Sequence, residues 1–277
     1  MNNKIWLITG ISSGLGKALA EAVIKKGDYV IGTFRKKLQV EAFNDKNIKN
    51  AHAIVLDITN DKQIKESIHL IINKYKKIDV LVNNAGMGFV GAIEETSMEE
   101  VRHVFETNFF GTLKLTQTVL PYMRKEKKGT IIQISSHGGI KAFAGFGIYN
   151  ASKFALEGFS EAMAQEVAPL GIKVLIVEPG PFRTNFAGNG LGQAEKIIDD
   201  YSKTAGAFKT KLKGVDGKQE GDPVKAANAI IDLINSKNTT LRLPLGKVAI
   251  MTIGMKLESI QSDIERNKQI AISTIFN

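Results

Sequence analysis

The sequence predicts an α/β fold of the doubly wound kind: one parallel β-sheet with helices on both faces, in a single domain. Three observations predict it. Short apolar runs alternate with amphipathic helical patterns along most of the chain. The runs IVL and VLIV are apolar throughout and IIQI is apolar apart from Gln133, as expected of strands covered on both faces. The residues with chemical potential follow directly after strands, where an open parallel sheet places its ligands.

Residues 4–9 (KIWLIT) read as a first strand closed by Gly10, and 14–27 as a helix with apolar residues three and four apart that stops at Gly27. Residues 28–34 (DYVIGTF) are β-branched and aromatic, and 52–57 (HAIVLD) repeat the strand pattern. An amphipathic helix covers 61–77, then 78–86 (IDVLVNNAG) run from strand into loop. A long helical region follows from Ser97 to Met123, a strand over 129–136, and a helix from Tyr149 to Ala168 that Pro169 and Gly171 end. Residues 171–180 (GIKVLIVEPG) form a further strand. Six strand-and-crossover units of one hand give the doubly wound sheet.

Residues 181–222 break this rhythm with glycines, lysines and a weak helical pattern over 194–203. A connection of that length often covers a site, so it reads as a mobile substrate cover. A helix resumes at Asp222-Pro223, with the aspartate as cap and the proline in the first turn. Residues 241–246 look like a last strand, and 246–277 like a helical tail. The whole chain, 1–277, reads as one domain.

The 277 residues supply a core that needs no covalent staples. The absence of cysteine excludes disulfides, thiolate nucleophiles and cysteine-held zinc, and fits a cytoplasmic home. No metal site is expected. The formal charge of +9, from 37 basic and 28 acidic residues, comes from scattered lysines without an aromatic-interleaved patch, so no nucleic-acid partner is expected. No apolar run approaches the length of a membrane span.

Two motifs carry the chemistry. In TGISSGLG (9–16), Gly10 permits a tight turn, Gly14 a close backbone approach, and Gly16 helix-against-strand packing. The N–H groups of Ser12, Ser13, Gly14 and Leu15 then face a pyrophosphate at a helix N-terminus. The spacing is GxxxGxG, and without a Lys-Ser pair at its end it is no triphosphate loop. In IYNASKF (148–154), Tyr149 and Lys153 are one helical turn apart on one face. An adjacent ammonium favours the phenolate and is expected to lower the tyrosine pKa. Ser136 lies 13 residues before the tyrosine at a strand end, and strand alternation points Ser135 elsewhere.

These residues, with Asp57, the Asn83-Asn84-Ala85-Gly86 stretch, Asn108, and Pro179-Gly180 with Thr184, resemble the shorter, non-epimerase branch of the short-chain dehydrogenase/reductase family. The resemblance runs from Ile5 to Leu245. It implies a Rossmann-like fold and roles for single residues. Tyr149 is the general acid/base, Ser136 hydrogen-bonds the substrate oxygen, and Lys153 holds the nicotinamide ribose. Asn108 anchors a water that relays protons. Asp57 and Ile58 sit beside the adenine. Asn84, Ala85 and Gly86 lie near the cofactor, and Pro179, Gly180, Phe182 and Thr184 border the nicotinamide. Homo-oligomers are common in such a family, through the helices near 100–123 and 149–168.

An acid at the end of the second strand rejects NADP; here Phe34 stands there, followed by Arg35. NADP(H) is therefore expected, with NAD as the alternative. The expected reaction interconverts a carbonyl and an alcohol on a mostly apolar small molecule. Phe89, His137, Phe143, Phe146, Phe182 and Phe186 are candidate walls of its pocket. A non-catalytic dinucleotide sensor is the competing class, and the retained tyrosine and lysine argue against it.

Overall fold

The structure, a computed structural model, describes the chain except residues 1–2, 48, 189, 238–239 and 277. The first half comprises β1 (Ile5–Ile8), α1 (Gly14–Lys25), β2 (Tyr29–Phe34), α2 (Lys37–Lys46), β3 (Ala51–Val55), α3 (Asp61–Tyr75) and β4 (Val80–Asn83). It continues with β5 (Gly88–Val90), α4 (Met98–Phe105), α5 (Gly111–Glu126), β6 (Gly129–Ile134), α6 (Gly147–Val167) and β7 (Ile172–Pro179). The last third holds β8 (Leu191–Gln193), α7 (Ala207–Gly214), α8 (Pro223–Asn235), β9 (Arg242–Leu245) and α9 (Lys247–Ile272).

Seven strands form one parallel sheet in the order β3-β2-β1-β4-β6-β7-β9. The order turns back between β1 and β4, which opens a crevice beyond their carboxyl ends. Alternation along β1 supplies both cores: Trp6 and Ile8 pack with Leu19, Val23 and Ile230 of α1 and α8, while Leu7 faces Ile68 and Leu115 of α3 and α5. Truncating a fully buried side chain such as Leu81 to alanine costs about 2–5 kcal/mol. The helix starts are specified locally. Ser97 and Glu100 form a reciprocal capping box for α4, and the Asp222 carboxylate accepts from Val224 N at 2.8 Å ahead of Pro223.

Several elements depart from the sequence reading. α2 was not anticipated, because only Val40 and Phe43 of its residues pack against the core. The helical region expected over 97–123 runs to Glu126 and is divided by a π-turn at Glu106–Phe110 around Asn108. The helix expected over 194–203 forms later: Glu195 N and Ile198 N donate to the carboxylates of Glu100 and Glu95, which holds this stretch out of helical register. Its turns begin at Asp199, and α7 follows. The segment is also tied down by β8, which pairs with β5.

Candidate active site

The glycine turn is built by its neighbours. Gly10 and Gly14 adopt φ of +68° and +61°, the left-handed region that favours glycine. Thr33 Oγ1 accepts from Gly10 N at 3.1 Å, and Thr9 Oγ1 accepts from the amides of Asn84 and Ala85, both at 2.9 Å. The Asn84 side chain donates to the carbonyls of Thr9 and Gly10 at 2.9 and 3.0 Å. A Cβ on Gly16 would overlap that amide and lie 2.6 Å from Gly10 O. The turn after β1 and the loop after β4 are thus one interlocked piece. Thr33 did not emerge from the sequence, because a strand threonine looks like any other β-branched residue.

A dinucleotide fits this cradle. A Cβ on Gly14 would touch Thr184 at 3.4 Å, so the 179–186 segment closes over the turn. Ser13 caps α1 in extended conformation without a side-chain cap bond, so the first-turn amides keep their donors. Arg35 and Lys36 are exposed at the end of β2, whereas Lys37 lies 3.7 Å from Glu41. Phe34 is buried, its ring tilted 5.6 Å from Phe43. The Asp57 carboxylate accepts from Thr59 N and Oγ1 at 2.9 and 2.8 Å, with buried Ile58 beside it.

Beyond β6, the Ser136 side chain faces the Tyr149 phenol, and its hydroxyl accepts from Gly138 N at 2.9 Å. Lys153 Nζ donates to Ile134 O at 2.9 Å and lies 6.0 Å from the Tyr149 ring centroid. Ser135 points the other way, toward Glu157. Asn108 is held at both ends of its amide: Nδ2 donates to Met87 O and Ser152 Oγ, and Oδ1 accepts from Met87 N. A Cβ on Gly86 would lie 3.3 Å from Asn108 Oδ1 and 3.6 Å from Lys153 Nζ, so only glycine leaves that space open.

One electrostatic expectation is corrected. Tyr149 is pushed up to about 12 rather than down, because it is buried and only the nearby Ser136 hydroxyl opposes the burial. Lys153 is itself buried and falls to about 8, against the opposing pull of Glu157. Its ammonium serves the Ile134 carbonyl rather than the phenol.

The predicted aromatic walls divide. Phe146 and Phe186 lie 4.9 and 5.6 Å from the Tyr149 ring, and His137 and Phe143 lie 5.1 Å apart. His137 drops to about 4 through burial, with Nδ1 2.9 Å from Thr252 Oγ1. Phe182 instead packs toward Gly221 and the sheet core, and Phe89 sits with Val104 and Ala194. The sequence reading missed Phe208 of α7, which meets Phe146 at 4.9 Å and stacks on Phe143 at 6.2 Å. Its signal was Phe208 and Leu212 spaced one helical turn apart amid lysines. It also missed Asn150, whose side chain accepts from Phe143 N and donates to Gly138 O, fixing the loop after Ser136 to α6.

Residues 4–193 match the short chain dehydrogenase family. The chain is 41% identical to a 3-ketodihydrosphingosine reductase of Bacteroides thetaiotaomicron, over 89% of each chain. It is 36% identical to an NADPH-dependent 3-dehydrocapnine reductase of Ornithobacterium rhinotracheale, over 79% of this chain and 80% of the relative. Its fold matches a short-chain dehydrogenase from Streptomyces avermitilis with a TM-score of 0.93 and 42% identity, over 99% of both chains. Solved structures of similar fold hold either cofactor. ElxO with NADP bound has a TM-score of 0.73 and 27% identity over 87% of this chain and 96% of that one. A Burkholderia phymatum enzyme in complex with NAD has a TM-score of 0.82 and 20% identity over 94% and 95%.

Proposed function

Because the chain belongs to the short-chain dehydrogenase/reductase family of oxidoreductases, we propose that it is an NADP(H)-dependent reductase of an apolar, long-chain ketone. The observation that carries the reading is the convergence of Ser136 and the Tyr149 phenol beneath an aromatic roof, with Lys153 one turn further on. Gly10, Gly14 and Gly16 with Asn84, Thr184 and Arg35 hold the dinucleotide in this scheme. The bound nicotinamide supplies the hydride.

The residues of the chain do the rest. Ser136 orients the substrate oxygen by donating to it, and Tyr149 gives that oxygen a proton. With its pKa pushed up to about 12, the phenol stays protonated at neutral pH, which suits a proton donor and the direction of reduction. Lys153 turns from Ile134 O toward the ribose, and the charge it brings near Tyr149 eases loss of the proton. Asn108 sits at the π-turn, where a displaced backbone carbonyl can hold the relaying water. Residues 181–222, with Phe208 and Phe186, cover the substrate.

Arg35 and the absent acid at Phe34 support NADP(H), as does the NADPH dependence of one relative. The two relatives named for 3-keto and 3-dehydro substrates support a long-chain ketone. NADPH oxidation with 3-ketodihydrosphingosine and with a short ketone tests this, and the long substrate is expected to win in kcat/KM. Tyr149→Phe is expected to lower kcat by about 10²–10⁴-fold. Turnover undiminished in that variant, or equal use of the short ketone, overturns the reading.

A further inference from the structure

The first turns of α9 belong to the body of the molecule. Ala249 is buried against Gly180, and Thr252 is buried and bonded to His137. From Leu257 to Ile272 every residue is exposed. That stretch is about 24 Å of helix standing free, and a helix of such length is marginal in water without a packed face. It carries one. Ile250, Ile253, Leu257, Ile260, Ile264 and Ala271 recur at alternating spacings of three and four, with Asn267 completing the series. In heptad terms residues 250, 257, 264 and 271 are a positions, and 253, 260 and 267 are d positions.

We propose that α9 pairs in parallel with α9 of a second copy of this chain. The flanking charges favour that occupant and that orientation. Asp263 falls at g and Lys268 at the following e, the two positions that face each other between parallel strands, so two opposite-charge contacts form by symmetry. Asn267 then meets Asn267 of the other copy, a polar pair of the kind that fixes register. An antiparallel pairing of Leu257 with Ile260 instead brings Lys268 beside Lys247 of the other copy. A lipid surface is a poorer partner. The free stretch carries Glu258, Asp263 and Glu265 against Arg266 and Lys268, a net negative face where an anionic bilayer selects a basic one.

The chain has no cysteine, so one introduced thiol reports the geometry cleanly. Ile264→Cys is expected to give a disulfide-linked dimer under mild oxidation of the full chain, because equivalent a positions in a parallel pair approach within disulfide reach. Ser262→Cys, outside the seam, is expected to stay unlinked. Adding Leu257→Asp to Ile264→Cys is expected to abolish the link, with NADPH binding unchanged as the check on folding. No link at Ile264→Cys overturns the proposal. So does equal linking at both positions, or flotation of the Ile264→Cys chain with phosphatidylserine vesicles accompanied by loss of its link.

Discussion

Gly16→Ala probes the interlock between the glycine turn and the loop after β4. Gly16 is helical and has no need of a special φ, so alanine would by propensity alone help α1 by about 1 kcal/mol. Packing decides otherwise. The new Cβ would overlap the Asn84 amide, 2.9 Å from its Cγ, and lie 2.6 Å from Gly10 O. If Asn84 swings away, its bonds to Thr9 O and Gly10 O are lost, at about 1 kcal/mol each. Overpacking against the Gly10 carbonyl adds about 1–3 kcal/mol. The expected net loss is about 2–4 kcal/mol, or about 5–15 °C in Tm for a chain of this size. Displaced turn amides also weaken the grip on a pyrophosphate. Losing two charge-assisted bonds at about 1.5 kcal/mol each weakens NADPH binding by about 100-fold. Thermal melts and NADPH fluorescence titration measure both. Gly158→Ala, in α6 with nothing within 4 Å of its Cβ, is the matched control and is expected to be neutral or stabilising. A Gly16→Ala protein that melts with the wild type and binds NADPH within twofold would refute the reasoning.

Glu178 is buried and its carboxyl is pushed up to about 7 by burial and by Glu157, against the Arg242 guanidinium 3.2 Å away. A raised carboxylate pKa contributes stability that is full below about 4.5 and is lost as pH rises through about 7, a swing of about 3 kcal/mol. Glu178→Gln is expected to flatten urea-unfolding stability between pH 5 and 8; an unchanged slope counts against it. If Arg35 holds the 2′-phosphate as proposed, Arg35→Asp is expected to cut the NADPH-to-NADH preference in kcat/KM by at least about tenfold. An unchanged ratio would move the phosphate elsewhere. Phe208→Ala opens the aromatic roof over Tyr149 and is expected to raise KM for a long-chain ketone more than it lowers kcat; the reverse split would remove Phe208 from the pocket.

What the sequence disclosed and what it withheld follow from how each residue's role is encoded. The sheet was legible because buried parallel strands are predominantly apolar on both faces, and 174–177 and, apart from Gln133, 131–134 cannot disguise that. The glycine turn was legible because positive φ at Gly10 and Gly14 excludes most other residues. Thr33, Asn150 and Phe208 were not, because each acts through a partner more than seven residues away or on another element, and nothing local marks the pairing. The cover segment withheld most. Its path depends on Glu95 and Glu100, a hundred residues earlier, whose carboxylates accept from Ile198 and Glu195. The 194–203 pattern had the apolar spacing of a helix, yet those two bonds satisfy backbone donors that a helix would otherwise recruit. The same cause explains the tyrosine. Neighbouring residues foretell an ammonium one turn away, whereas burial of Tyr149 and Lys153 arises from loops distant in sequence, and burial dominates both pKa values. Local chemistry is therefore readable where backbone geometry constrains residue choice, and the field around it emerges only when the chain has closed.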